Sequence, residues 1–142
     1  MMRILKVLFL QIVMIMSSVA AIAAGEGEGN GFDWTPVMDA IIQVESKGNA
    51  SAVSGQYVGA MQISPICVRE CNNILKRRGS SKRFTLKDRY SESKSREMFV
   101  VIQSYHNPAN NVEKAIRAWN GGNNYSVAKT QKYLNMVRHY MK

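Results

Sequence analysis

Glu45 sits where a carboxylate is least at home. Val37, Met38, Ile41, Ile42 and Val44 follow Pro36 and, at about 100° per residue, span an arc of roughly 160° on one helix face. Glu45 falls near the middle of that arc, about 40° from Ile41, while Asp39 and Gln43 point the other way. The carboxylate also lies in the last turn, at the negative end of the helix dipole. Desolvation and the dipole both disfavour its charged form. A carboxylic acid that keeps its proton near neutral pH is suited to general acid catalysis. Two plainer outcomes are open to such a residue: bending out to solvent, or pairing with an Arg or Lys.

The remaining acids of the folded part are Asp33, Asp39, Glu70, Asp88, Glu92, Glu97 and Glu113. Glu92 and Glu97 read as solvated, and Glu113 as a first-turn partner of its helix dipole. Asp88 is the one candidate for a second carboxylate, and capping a turn beside Arg89 suits it better.

The elements that would hold Glu45 are short helices separated by turns. Thr35-Pro36 and Ser64-Pro65 both read as N-cap and first-turn pairs. The first helix runs from Pro36 to about Ser46. The second carries Ile66, Cys67, Cys71, Ile74 and Leu75 at helical spacing and ends in Lys76-Arg77-Arg78-Gly79. Ser91 caps a third, with Met98, Phe99, Val101, Ile102 and Tyr105 inward, ending before Asn107-Pro108. A fourth covers Val112 to Asn120 and stops at Gly121-Gly122. The last runs from about Thr130 to the C-terminus, with Leu134, Val137 and Met141 aligned. Ala50 to Ile63 lacks helical period, is rich in turn residues and has room for a small β hairpin. The sum is an α+β domain, mostly α-helical, with a turn-rich segment after its first helix.

The chain of 142 residues divides into three parts. Residues 1–24 start with Arg3 and Lys6, continue as an apolar run and close on Ala20, Ala21, Ala23 and Ala24, the pattern of a secretory signal peptide. An uncleaved anchor is the alternative, since the run nearly suffices to span a bilayer. Either way the remainder is expected outside the cytoplasm, periplasmic or extracellular. Residues 25–31 alternate glycine with polar residues and read as a flexible linker. Residues 32–142 form one domain.

Charge narrows the partners. Lys and Arg total 19 against 10 acids, and losing Arg3 and Lys6 with the leader leaves 17 against 10, a net +7. An anionic partner fits, with Lys76-Arg77-Arg78 through Lys82-Arg83 the densest patch. Nucleic acid is disfavoured by the export signal and the absence of a recognition motif. No phosphate-binding glycine loop or dinucleotide fingerprint occurs. Two cysteines make neither a disulfide scaffold nor a four-Cys zinc site, and no spacing adds His106 or His139 to them. At four residues apart on a helix, Cys67 and Cys71 place their Cβ atoms roughly 5–6 Å apart, too far for a regular bridge, and read as buried thiols. No metal or cofactor is expected.

The residues around Glu45 carry a specific likeness. Glu45-Ser46-Lys47-Gly48-Asn49, then Ala52-Val53-Ser54, then Gly59-Ala60-Met61-Gln62-Ile63, resembles the signature of soluble lytic transglycosylases. Further on, Ala118-Trp119-Asn120-Gly121-Gly122 resembles that family's Ala-Tyr-Asn-Ala-Gly. The resemblance implies a lysozyme-like fold and cleavage of the β-1,4 bond between N-acetylmuramic acid and N-acetylglucosamine in peptidoglycan. It implies a single catalytic Glu, here Glu45, that protonates the leaving oxygen. The same residue then takes a proton from the muramic 6-hydroxyl, which closes a 1,6-anhydro ring. Ordinary glycosidases use two carboxylates; an intramolecular attack needs no base to activate water, and the N-acetyl group can assist.

By the same resemblance, Ser54 and Gln62 line the cleft wall, Ser46 orients the Glu45 turn, Gly59 lets backbone approach the sugar, Met61 belongs to the binding strip and Asn120 ties a loop near the acid. Trp119 stands where the family has Tyr: it offers an N–H and a stacking face but no hydroxyl, and also reads as core with Val112 and Ile116. A hydrolytic lysozyme is the sibling reading. A catalytically silent wall-binding or scaffold protein on the same fold is the reading from another class. The expected partners are glycan strands, engaged by a monomer, and an envelope-spanning assembly for which a small domain opens the wall locally.

Overall fold

Of the two proline-marked helix starts, Ser64 behaves as the sequence suggests. Its side chain accepts from the Cys67 N–H at 3.2 Å and opens α2, Pro65–Arg77. Thr35 does not cap. It is already the first residue of α1, Thr35–Ser46, and its N–H is taken by the Asp33 carboxylate at 2.9 Å. The computed structural model describes residues 31–142. The expected leader, 1–24, and the linker through residue 30 lie outside the described residues.

α1 ends where Lys47 turns left-handed at φ 53° and Gly48 follows at φ 83°. The turn-rich stretch then forms the small hairpin that its composition leaves room for. β1, Val53–Ser54, pairs antiparallel with β2, Tyr57–Val58, in the register Val53↔Val58 and Ser54↔Tyr57. After α2 comes a short 3-10 helix, Leu86–Tyr90, that the apolar spacing does not announce. Its start is a capping box: the Thr85 N–H donates to the Asp88 carboxylate at 2.8 Å. Asp88 thus takes the capping role.

α3, Glu92–His106, follows with Ser91 as its cap, then α4, Val112–Gly121, and α5, Val127–Tyr140. α5 starts three residues before the expected Thr130. Ser126 is its cap, and its first turn is exposed, so no apolar period marks it. The result is a mainly helical fold with one two-stranded sheet among the described residues.

One core binds these elements. Ile41, Met61, Ile74, Leu75, Met98, Phe99, Ile116 and Leu134 are fully buried within it. α5 packs against both α1 and α4, and α2 packs against α3. Two inward assignments fail. Ile66 is 61% exposed at the start of α2, and Tyr105 is 42% exposed near the end of α3, where the Arg77 guanidinium lies over its ring. Cys71 is buried and its thiol donates to the Met98 carbonyl at 3.5 Å, while Cys67 is only half-buried.

Candidate active site

The end of α1 and the loop after the hairpin are stitched together beside Glu45. The Ser46 hydroxyl donates to the Ala60 carbonyl at 2.7 Å, with the Ile42 carbonyl at 3.3 Å. One residue on, the Met61 carbonyl accepts from the Trp119 indole N–H at 3.2 Å. α1, the Ala60-Met61 strip and α4 are therefore joined through side chain to backbone bonds. Ser46 orients the helix end, and the atom by which it does so is directed inward.

Glu45 itself is half-buried, and one oxygen, Oε1, accepts from the Tyr133 hydroxyl at 2.7 Å. Burial pushes its carboxyl above the ordinary range; the Tyr133 hydrogen bond pulls the other way and is the smaller effect. Tyr133 is nearly buried, and its phenol is pushed up by burial first and then by the neighbouring carboxylate. With Oε1 engaged as an acceptor, Oε2 is the oxygen left to carry a transferable proton.

Every other described acid has a hydrogen-bond or ion-pair partner. Asp39 pairs with Arg96 at 2.6 Å, Glu70 meets His106 at 2.9 Å, and Glu113 bridges Arg117 and Arg138 at 2.8 and 2.9 Å. Glu92 pairs with Arg96 and Glu97 with Lys82, while Asp33 and Asp88 accept backbone N–H groups. Only Glu45, among the described acids, rests on a neutral hydroxyl inside an apolar helix face. Among the described residues, no other acid hydrogen-bonds to Glu45 or to Tyr133.

The other expected site residues divide sharply. Ser54 is exposed on β1. Gln62 is half-buried at φ 51°, and its amide donates to the Ala52 and Gly59 carbonyls at 3.2 and 2.9 Å. Only its Oε1 remains for a ligand. Trp119 has committed its N–H to Met61 and packs its ring on Phe99 at 5.1 Å, leaving a half-buried face. Asn120 is exposed within α4 and bonds no loop; the helix is closed by Gly122 instead.

Two assignments are corrected. Met61 is fully buried, so its side chain belongs to the core and cannot touch a ligand. Gly59 does permit a close approach, but of the Arg89 carbonyl: a Cβ there would stand 1.8 Å from that oxygen. Arg89 lies beneath the hairpin and donates to the Gln56 and Ile63 carbonyls at 3.0 and 3.2 Å.

Tyr133 is the site residue that spacing alone did not single out. A buried tyrosine must find a partner for its hydroxyl, and the Thr130, Leu134, Val137 face of α5 marks Tyr133 as inward. What no local pattern supplies is that α5 docks on α1.

The geometry gives a pH prediction. A general acid works only while protonated, so any reaction that uses Glu45 as its acid should slow as pH rises through the raised Glu45 value. Tyr133→Phe removes the bond that favours the carboxylate. The alkaline limb should then move further up, by up to about one pH unit for one hydrogen bond. Pairing a pH–rate profile with a carbon-13 titration of the Glu45 carboxyl checks this. A limb that moves down would mean that Tyr133 stabilises the acid form instead.

Comparison with family models, with curated proteins and with solved structures finds no match to this chain. The functional reading therefore rests on the residues and their geometry.

Proposed function

We propose that this chain is a lytic transglycosylase on a lysozyme-like domain, exported by its leader and acting on peptidoglycan outside the cytoplasm. The observation that carries the reading is Glu45: a half-buried carboxyl with raised proton affinity, held by Tyr133 through Oε1. It lies within a run that resembles the transglycosylase signature, and every other acid among the described residues is paired or capped.

In this reading Glu45 Oε2 delivers its proton to the bridging oxygen as the muramic C1–O4 bond breaks. The carboxylate so formed takes the proton of the muramic 6-hydroxyl. That oxygen bonds to C1, closes the 1,6-anhydro ring and returns Glu45 to its acid form. Burial serves the first step, because it raises the proton affinity of the carboxyl that must donate. The engagement of the other acids among the described residues favours this route over the hydrolytic sibling, which needs a second carboxylate for water. The net positive charge suits a polymer whose peptide stems carry carboxylates.

The test is digestion of purified peptidoglycan by the exported chain, with products read by mass spectrometry. Muropeptide ends about 18 Da below the hydrolysis product, one water lighter, are expected. Reducing ends would make the enzyme a lysozyme. Binding without release would make it a silent wall-binding protein, with Trp119 in place of the family Tyr as the first suspect.

A further inference from the structure

Gln103 lies on α3, is 2% exposed as a residue, and has only half of its amide satisfied. Oε1 accepts from the Asn107 amide at 3.1 Å, while no described residue accepts from Nε2. A buried N–H donor without an acceptor is costly, so native structures rarely leave one unmatched. Gln103 lines a cavity of about 30 Å³ between α3 and α4. That is roughly twice the space one water requires. Ile102, Ala118 and Trp119 give the cavity an apolar wall. Asn123 stands at its rim with its amide nitrogen 3.3 Å from His106 Nδ1, which leaves the Asn123 carbonyl oxygen for another donor.

An occupant that meets this lining can be described atom by atom. It brings a carbonyl oxygen to Gln103 Nε2, an N–H to Asn123 Oδ1 and a small apolar cap to the Ile102, Ala118 and Trp119 wall. A secondary acetamide has all three and little else. We propose that the cavity between α3 and α4 is an acetamido site, which seats the N-acetyl group of an amino sugar through Gln103 and Asn123. It deepens the glycan reading above and rests on it for the choice of an amino sugar. The linkage to Glu45 runs through Trp119, which lines the cavity on one side and bonds the Met61 carbonyl next to the Ser46 anchor on the other.

The test is nitrogen-15 NMR on the full chain carrying Glu45→Gln, titrated with N-acetylglucosamine tetrasaccharide and, in parallel, with cellotetraose. The second sugar is neutral and differs in bearing hydroxyls where the first bears acetamido groups. The Gln103 side-chain amide and the Trp119 indole signals should move with the first sugar and stay still with the second. Gln103→Leu should weaken binding of the first about tenfold, the worth of a strong neutral hydrogen bond. Its fold should hold, because Asn107 keeps its bond to the Asn111 carbonyl at 2.8 Å. Should that variant misfold, Asn123→Ala at the exposed rim is expected to weaken binding in the same direction.

Static Gln103 signals, or equal response to both sugars, would overturn the site and leave the cavity to ordered water. Peptidoglycan cleavage by the wild type alongside static Gln103 signals would sink this site alone. Movement of those signals with no cleavage by the wild type would sink the transglycosylase reading and keep the acetamido site.

Discussion

Glu45→Gln should lower release of anhydro-muropeptides by about a thousandfold or more while leaving the fold intact. General acid–base assistance contributes typically 10² to 10⁴ in rate, and in the proposed reaction one residue supplies both the acid and the base step. Glutamine keeps the shape and the Oε1 acceptor for the Tyr133 hydroxyl at 2.7 Å, but has no proton of comparable acidity to give. Stability should respond in the opposite sense to activity. Burial raises the folded-state value of Glu45 above its unfolded one. The stabilisation this brings is present in full below the ordinary carboxylate range and is lost as pH rises through the raised value. Glutamine does not titrate, so the variant should gain on the wild type in melting temperature toward alkaline pH. Turnover within tenfold of wild type would remove Glu45 from the reaction. A variant that loses activity together with its fold at every pH would make Glu45 a structural residue.

The carboxylate was legible because it is a local conflict. A charged residue at the centre of an apolar helical arc contradicts the pattern around it, and that contradiction needs only Val37 to Glu45 to be seen. Ser64, Ser91 and the hairpin were legible for the same reason, since caps and turns act over three or four residues. What escaped is long-range. Tyr133 stands 88 residues from Glu45, and only the docking of α5 on α1 brings them together. The burial of Met61 and the confinement of Trp119 depend on how the post-hairpin loop meets α4. Tyr105 follows the apolar stripe of α3 but lies beneath Arg77 at the surface, where the ring serves a cation instead of the core. The glycan-facing assignments suffered most, because a motif gives residue types in order and says nothing of which atoms remain for a ligand.

Gly59 shows what that difference costs. Gly59→Ala should destabilise the fold by about 3–5 kcal/mol, at the upper end for a single substitution, and lower the melting temperature by about 10 °C or more. Two effects add. At φ 85° an L-residue is strained by about 1–2 kcal/mol. The new Cβ would also stand 1.8 Å from the Arg89 carbonyl oxygen and 2.9 Å from its carbon, which are backbone atoms and not a movable side chain. Neither side can retreat. The Gly59 N–H is bound to the Ala52 carbonyl at 2.8 Å, and its own carbonyl takes the Gln62 N–H at 3.1 Å and the Gln62 amide at 2.9 Å. On the other side, the Arg89 carbonyl receives the Ser95 hydroxyl at 3.3 Å while the Arg89 guanidinium is pinned beneath the hairpin. Gly55→Ala separates the two effects. Gly55 has φ 58° but nothing within 4 Å of the new Cβ, so it should show the torsional cost alone, about 1–2 kcal/mol. Thermal melts of the two variants decide the matter. Equal losses would mean that the backbone yields around Arg89. A Gly59→Ala protein that melts like the wild type yet binds glycan poorly would return Gly59 to the sugar-facing role that its motif suggests.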